Sequence, residues 1–472
     1  MSSPPASSLS VARRFARFVS GVSLDAVPAA VGAQATLLAL DTLGSCLASS
    51  REDFGRSVTE AVVRLGGAPE SRVVGSGARV GAGAAALANG TLAHGLDFDD
   101  TREDAIVHTG CVAVSTALAV GEAVEASGRA ALEALVAGVE VMCRIGLAVP
   151  GRFHARHYHP TALTGSFAAA AAAGRLYRLT EDQLVHAFGI CGSQASGIIE
   201  YLADGSWTKR LHPGWAAHAG VTAALLARSG FTGPETVFEG AHGFYAAFAG
   251  GHDAGRLDAQ LESLGRVWEV SNLTFKPYPC GSIAHPYMDC ALRLRERHRI
   301  RPEDIAEVRC RTAEGPIPRL WEPLAAKHRP KNGYAAKFSL PYLLASILVK
   351  GRATLADFTD EAARDETVRG VAARVHYDID PSIDYPRHFI GHVAVRLHDG
   401  RLFEEKQDHP RGGPDFPMTR AELTDKFRAN AAEVIPEAQA ARVIALVETL
   451  AAQPRVASLM DALTAQEPPQ EP

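Results

Sequence analysis

The pattern of apolar and polar positions changes once along the chain, near Gly265. Before that point the sequence is rich in alanine, leucine and valine, and its apolar runs, such as residues 112–127 and 130–148, are much longer than usual strands. Alanine is the strongest helix former, so runs of this length predict helices, and the many small residues predict close helix packing.

One predicted helix has boundary signals at both ends. Pro213 suits the first turn of a helix that continues through residues 215–229, and Gly230 suits its end. On this interpretation the basic residues 209–212 lie just before the helix begins.

After residue 265 the periodicity includes that of strands. Polar and apolar residues alternate over residues 306–312, and alternate again around Asp399-Gly400, which predicts a β-hairpin with a two-residue turn. Residues 341–350 and 360–373 are predicted to be helical.

These patterns predict a mainly α protein with two domains. Residues 420–463 are again helical in pattern, and we expect them to pack back on the first domain. The predicted ranges are 1–269 with 405–465 for the helical domain, 270–404 for a smaller α+β domain, and 1–9 and 466–472 for disordered tails.

Composition and charge exclude several classes of function. The formal net charge is −5 and the basic residues are interspersed with acidic ones, so no nucleic acid partner is expected. The seven cysteines include no CxxC pair, which argues against a disulfide framework and indicates a reducing compartment. Neither a signal peptide nor a membrane-spanning run is expected, so the predicted location is the cytoplasm.

The densest polar cluster, over residues 89–110, lies between two apolar helical runs. A carboxylate and an imidazole brought together there would act as general base and acid. The alternative is that the acidic residues and the threonine cap a helix on an ordinary surface loop, and a metal site is disfavoured because further oxygen ligands are missing. The residues concerned are Asp97, Asp99, Asp100, Thr101 and His108.

A second cluster, HARHYHPT, contains three histidines in six residues. An HxxHxH run supplies at most two zinc ligands without strain, so a polar loop with one functional imidazole is favoured over a metal site. Pro160 favours an extended backbone at His159, and a helix of small residues is predicted from Thr161.

Two further clusters carry cations. Lys209, Arg210 and His212 precede the predicted helix start, where they form either a carboxylate clamp or a solvated basic turn. Lys276 and His285 flank Cys280 at the predicted domain boundary, a usual place for ligands. That cysteine is expected to be a small buried thiol rather than a nucleophile. No dinucleotide, P-loop or serine-hydrolase motif occurs in the sequence.

In this order, the clusters resemble the MmgE/PrpD family, which includes 2-methylcitrate dehydratase, cis-aconitate decarboxylase and iminodisuccinate epimerase. The resemblance covers about residues 10–460 and implies a large all-helical domain built from both ends of the chain, a smaller α+β lid, a homodimer and no cofactor. Its strongest stretches are AHGLDFDDT, HPTALTGSFAAAAAAGRL, TKRLHPGWAAHAG, GFTGPETVFEG, KPYPCGSIAHPYMDC and RPKNGYAAKFSLPY. Cis-aconitate decarboxylases resemble the chain less over residues 276–285, which weakens the prediction that this protein is a decarboxylase.

The resemblance also implies site residues, to which Arg210 is added from the basic cluster. The catalytic candidates are Asp97, His108, His159, Lys209 and His285. The substrate-binding candidates are Thr101, Lys276 and Arg210. No metal ligand is predicted.

The chemistry shared by the family moves a proton at a carbon beside a carboxylate, so the site must supply a base and stabilise enolate-like charge. His159 is the first candidate for proton transfer, because an imidazole titrates near the working pH, and Asp97 is either the base or the group that orients a histidine. Lys209 and Lys276 are the cations for the substrate carboxylates. For a leaving hydroxyl the proton donor is His108 or His285.

The sequence therefore favours a cofactor-independent lyase that dehydrates a small anionic polycarboxylate, a hydroxy acid like 2-methylcitrate. The alternatives are an epimerase or racemase of an imino- or amino-dicarboxylate, a cis-aconitate-type decarboxylase, and a carboxylate-binding protein without catalysis.

Overall fold

A computed structural model describes residues 9–385 and 389–465. The chain divides into two compact units: unit 1 combines residues up to 273 with those from 419 onward, and unit 2 spans residues 274–418. The predicted disordered tails lie outside the described residues, except for Leu9.

The first section of unit 1 is built from helices. They are α1 (Val11–Gly21), α2 (Ala29–Ser50), α3 (Asp53–Leu65), α4 (Ala82–His94), α5 (Gly110–Ala123), α6 (Gly128–Leu147), α7 (Arg152–Ala155), α8 (Pro160–Leu176), α9 (Glu181–Gln194), α10 (Thr208–Arg228), α11 (Phe244–Ala249) and α12 (Ala254–Glu262). The prediction of an all-helical domain is wrong in one detail, since β1 (Ser71–Arg72) pairs antiparallel with β2 (Arg79–Val80). Strands of two residues are too short to leave an alternation in the sequence.

Unit 2 combines helices with a mixed sheet. Its helices are α13 (His285–His298), α14 (Ile317–Leu320), α15 (Leu324–His328), α16 (Gly333–Ala336), α17 (Leu340–Lys350) and α18 (Glu366–Ala372). Its strands are β3 (Ile305–Thr312), β4 (Val375–Ile379), β5 (Gly391–Leu397) and β6 (Leu402–Gln407), in the order β4-β3-β5-β6. The β3–β4 pair is parallel, and the other two pairs are antiparallel.

The predicted strands are present in unit 2. One helix begins later than predicted, and one domain boundary lies further along the chain than predicted. The predicted hairpin is present, with Gly400 at φ 89° in its turn. The predicted helix over 360–373 begins only at Glu366, after a short 3₁₀ turn. The predicted boundary at 404/405 falls inside β6, and a bond from the Phe275 N–H to the Gly412 carbonyl at 3.0 Å keeps the following residues in unit 2.

The last section of unit 1 returns to helices, as the pattern over residues 420–463 predicts. These helices are α19 (Arg420–Ala431), α20 (Glu437–Glu448) and α21 (Ala457–Ala462). Both α19 and α20 pack on α2. By length and composition α2 alone, among the described helices, could cross a membrane, although the sequence predicts no such run. The most apolar 18-residue window of α2 is 67% buried inside the protein, as in a core helix of a folded domain.

The start of α10 differs from the prediction, and the difference moves the basic cluster. The helix begins at Thr208, so Pro213 lies inside it and Lys209 and Arg210 are in its first turn. A proline within a helix removes one backbone hydrogen bond, which made it the natural starting point in the sequence. Gly230, at φ 91°, follows the helix end as predicted.

Small residues let α10 approach α4 and α8 closely. A methyl group added at Gly90 of α4 would lie 2.8 Å from the Gly214 Cα of α10, and one added at Gly220 would overlap the backbone of α8. The α4 and α10 backbones are therefore nearly in contact, and this contact brings the end of α4 beside the first turns of α10.

Replacing Gly214 with alanine is expected to destabilise the protein by about 1–3 kcal/mol, because the new methyl group overlaps the Leu87 carbonyl and Thr91. The matched control is Gly370→Ala in α18, where nothing lies within 4 Å of the added methyl group and alanine favours the helix. Urea unfolding of both variants measures the difference. Equal stability of the two would contradict the close contact.

Candidate active site

The loop between α4 and α5 uses its carboxylates in different ways. Asp97 has φ 58°, a left-handed backbone that few residues other than glycine adopt. The buried Asp100 accepts hydrogen bonds from the Thr109 N–H and hydroxyl at 3.0 and 2.7 Å and from the Gly110 N–H at 2.8 Å. Asp100 therefore caps the start of α5, as the capping alternative predicts, but the loop is buried and not the ordinary surface loop of that alternative.

Four imidazoles lie together near the ends of α4, α5, α8 and α10. His94 is the last residue of α4, His108 precedes α5, His159 precedes α8, and His212 lies in α10. We refer to these four as the histidine cluster. Their ring centroids are 4.6 Å apart for His94 and His108, 5.6 Å for His94 and His159, and 5.2 Å for His159 and His212. The structure thus joins candidates that the sequence places in separate motifs.

His94 is the member of the cluster that sequence reasoning misses. It lies within the AHGLDFDDT stretch, but as the final residue of an apolar helix it resembles a core histidine. The available signal is its position three residues before Asp97, at the polar end of an otherwise apolar helix. The structure makes it a central residue of the site.

Hydrogen bonds fix the orientation of two of the rings. The His94 Nδ1 lies 2.8 Å from Asp99 Oδ2, so this imidazole is held by a buried carboxylate. The His108 Nδ1 donates to the Asp100 carbonyl at 2.8 Å, which defines its tautomer. Thr101 Oγ1 lies 3.4 Å from the same Nδ1, so this substrate-binding candidate contacts a catalytic candidate.

The other two rings contact each other. The Nδ1 atoms of His159 and His212 are 3.0 Å apart. Burial first, and then the charges of His94, His212, Lys209 and His108, hold the pKa of His159 well below its usual value. Burial, with His94 and Lys209, lowers the pKa of His212 to about 4. Both rings are therefore neutral at neutral pH, the form in which an imidazole accepts a proton.

The lowered pKa of His212 predicts that the folded protein loses stability in mild acid. Folded His212 stays neutral to about pH 4, whereas in the unfolded chain the imidazole takes up a proton near pH 6.5, so the unfolded state binds more protons between these values. The free energy of unfolding should fall between pH 7 and pH 5, by about 1–2 kcal/mol for His212 alone. Urea titrations at both pH values should show a smaller fall for His212→Gln, and an unchanged fall for the exposed control His157→Asn. A steeper fall in His212→Gln would contradict the neutral pair.

A partly buried ion pair lies beside the cluster. Lys209 Nζ is 2.8 Å from Asp97 Oδ2, with side chains 13% and 7% exposed. A cation in a poorly hydrated place attracts a substrate carboxylate more strongly than a surface lysine does. Asp97 therefore holds and orients this lysine.

Arg210 is held differently from its neighbour. Its guanidinium carbon lies 4.3 Å from the centre of the Phe54 ring of α3 and 6.0 Å from that of Trp207. This stacking on aromatic faces differs from the clamp that the sequence predicts with Lys209. Its role in substrate binding stays a prediction.

The remaining candidates lie in unit 2. Lys276 and His285 are buried there, and the His285 Nε2 donates to the Cys280 carbonyl at 3.3 Å. The Cys280 thiol is buried 3.6 Å from the Met288 sulfur, which agrees with a structural thiol. The catalytic and binding roles of Lys276 and His285 stay predictions.

Potential metal ligands group differently from the three-histidine run in the sequence. In the described part of the chain, His94, His108 and His159 each offer a ligand atom within 4.8 Å of the others, and so do His94, Asp99 and Cys111. His154 and His157 belong to neither group. The histidine run thus contributes only His159.

Comparison with known proteins gives the family. Residues 13–257 match the MmgE/PrpD N-terminal domain, and residues 278–469 match the MmgE/PrpD C-terminal domain. A cis-aconitate decarboxylase-like protein of Aspergillus oryzae is 28% identical over 92% of this chain and 93% of its own length. The mouse cis-aconitate decarboxylase is 27% identical over 93% and 91%. A 2-methylcitrate dehydratase of Escherichia coli K12 is 25% identical over 59% of each chain. Both halves of the chain carry the match, and the chain belongs to the MmgE/PrpD family.

Proposed function

We propose that this protein is a lyase that acts on a small polycarboxylate by moving a proton at a carbon beside a carboxylate. The observation that carries the proposal is the buried, neutral His159 next to the Lys209–Asp97 ion pair. The ring supplies the base, and the lysine supplies the positive charge that stabilises an enolate-like intermediate. The proposed enzyme needs no cofactor and works in the cytoplasm, as a homodimer.

Dehydration of a hydroxy acid similar to 2-methylcitrate fits this arrangement. His159 takes the proton from the carbon, and the electron pair of that C–H bond forms the alkene as the neighbouring C–O bond breaks. The departing hydroxide takes a proton from a second group and leaves as water. The proposed donor is His108 as an imidazolium, which keeps its Nδ1–H on the Asp100 carbonyl and gives up the Nε2 proton; its ring centroid lies 6.3 Å from that of His159.

Decarboxylation is the second candidate, and a different observation favours it. The cis-aconitate decarboxylases of fungi and mouse match this chain over more than nine-tenths of its length, whereas the dehydratases match over 59%. In that reaction the C–C bond to a carboxylate breaks, carbon dioxide leaves, and the remaining electron pair takes a proton from an imidazolium of the cluster. Lys209 would stabilise the same enolate-like charge.

Proton NMR in D₂O with 2-methylcitrate, citrate, cis-aconitate and iminodisuccinate tests the proposal. A new alkene signal from a hydroxy acid supports dehydration, and conversion of cis-aconitate with loss of a carboxyl group supports decarboxylation. Exchange of the α-proton with stereochemical scrambling alone would point to the epimerase. Binding of these acids by folded protein without any turnover or exchange would contradict an enzyme.

A further inference from the structure

We propose that the histidine cluster also binds one divalent transition-metal ion of the zinc type, through His94, His108 and His159, and that the ion competes with the reaction. The competition rests on the proposed function, because His108 and His159 are its acid and base. The binding itself rests only on the geometry described below.

The three side chains are already close to a coordinating arrangement. One ligand atom from each lies within 4.8 Å of the others; His94 and His159 are buried, and the His108 side chain is 11% exposed. Zinc–nitrogen bonds of about 2.0–2.1 Å in a tetrahedral site require nitrogen atoms about 3.3 Å apart. Small side-chain rotations therefore suffice to close the cluster around an ion, leaving one coordination position open.

His94 is oriented as metal-bound histidines usually are. Its Nδ1 is held by the Asp99 carboxylate at 2.8 Å, the arrangement that fixes the tautomer and raises the basicity of a metal-ligating imidazole. Its Nε2 is buried and makes no hydrogen bond within the described residues. A buried ring nitrogen without a partner is costly, and a metal ion would give it one.

The other two rings agree with this assignment. His108 donates its Nδ1–H to the Asp100 carbonyl at 2.8 Å, so an oxygen orients this ring as well. His159 completes the set, with its ring centroid 5.6 Å from that of His94 and 6.3 Å from that of His108. The overlapping group with Asp99 and Cys111 is less suitable, because the Cys111 thiol already donates to the His108 carbonyl at 3.3 Å.

Titration calorimetry with Zn²⁺ on untagged, chelator-treated protein tests the site. We expect one equivalent to bind, with the affinity lowered roughly 100-fold by His94→Gln, and by about 10- to 100-fold by Asp99→Asn, which removes only the orienting carboxylate. The control His157→Asn removes an exposed imidazole two residues from His159 and should bind as the unmodified protein does.

A second measurement needs no variant. Co²⁺ bound at this site should give the intense visible absorption of a tetrahedral ion, and one equivalent of Zn²⁺ should displace it. Absence of Zn²⁺ binding, equal binding by the unmodified protein and folded His94→Gln, or a weak octahedral Co²⁺ spectrum would each overturn the site. Turnover unaffected by bound Zn²⁺ would overturn the competition. Intact metal binding with no turnover of any polycarboxylate would count against the proposed function and not against the metal site.

Discussion

Replacing His159 with asparagine is expected to lower the turnover number by about 10²- to 10⁴-fold, the usual contribution of a general acid or base. The ring is buried, neutral and 3.0 Å from His212, so its loss removes the base of the proposed reaction. Asparagine is of similar size and suits the position before α8, so the fold should persist. Steady-state kinetics on the substrate found by NMR, with the urea midpoint measured in parallel, checks both statements.

The matched control for this prediction is His157→Asn. His157 is exposed and has φ 65°, a backbone conformation that asparagine tolerates, so this variant should keep the activity of the unmodified protein. Near-normal turnover in folded His159→Asn would assign the proton transfer to another group.

Replacing Lys209 with methionine should reduce kcat/KM by about 10²- to 10³-fold, as does loss of one group that stabilises a developing anion. The substitution removes the charge but keeps an unbranched apolar side chain in the first turn of α10. It also leaves Asp97 buried without its ion-pair partner, so we expect a loss of stability of a few kcal/mol. The double variant with Asp97→Asn should regain stability but not activity.

Two further variants test whether the positive charge alone or its exact position at residue 209 is needed. Lys209→Arg keeps a cation but not the point charge of an ammonium, so it should restore part of the binding and little of the turnover. Arg228→Met removes a cation from the last turn of the same helix and should leave kcat/KM unchanged. A Lys209→Met protein with normal kinetics would exclude this lysine from the site.

Much of the fold follows from local signals. Long alanine-rich runs, a period of two in β3, and the Asp399-Gly400 turn each determine their element within a few residues, so the sequence suffices to predict them. The start of α10 was misplaced because helix packing compensates for the bond that Pro213 removes. The boundary inside β6 was misplaced because strand pairing, which is not local, decides it.

The sequence indicates most of the candidate site residues but not which of them contact each other. Asp97 and Lys209 are 112 positions apart, and nothing in either motif indicates that they form an ion pair. Their pairing depends on the close approach of α4 and α10, a property of glycines that look unremarkable in an alanine-rich sequence. His94 was missed because, as the last residue of an apolar helix, it resembles a core histidine, and its position three residues before Asp97 was the available signal.

The contact between α4 and α10 also determines which positions near this site tolerate substitution. Because Gly90 and Gly214 leave no room for a methyl group, these helix faces do not accept the larger side chains by which enzymes reshape a pocket. Directed evolution toward a new substrate would therefore have to vary positions outside this contact. Libraries that randomise the glycine contact would yield mostly destabilised protein, whatever substrate was used for selection.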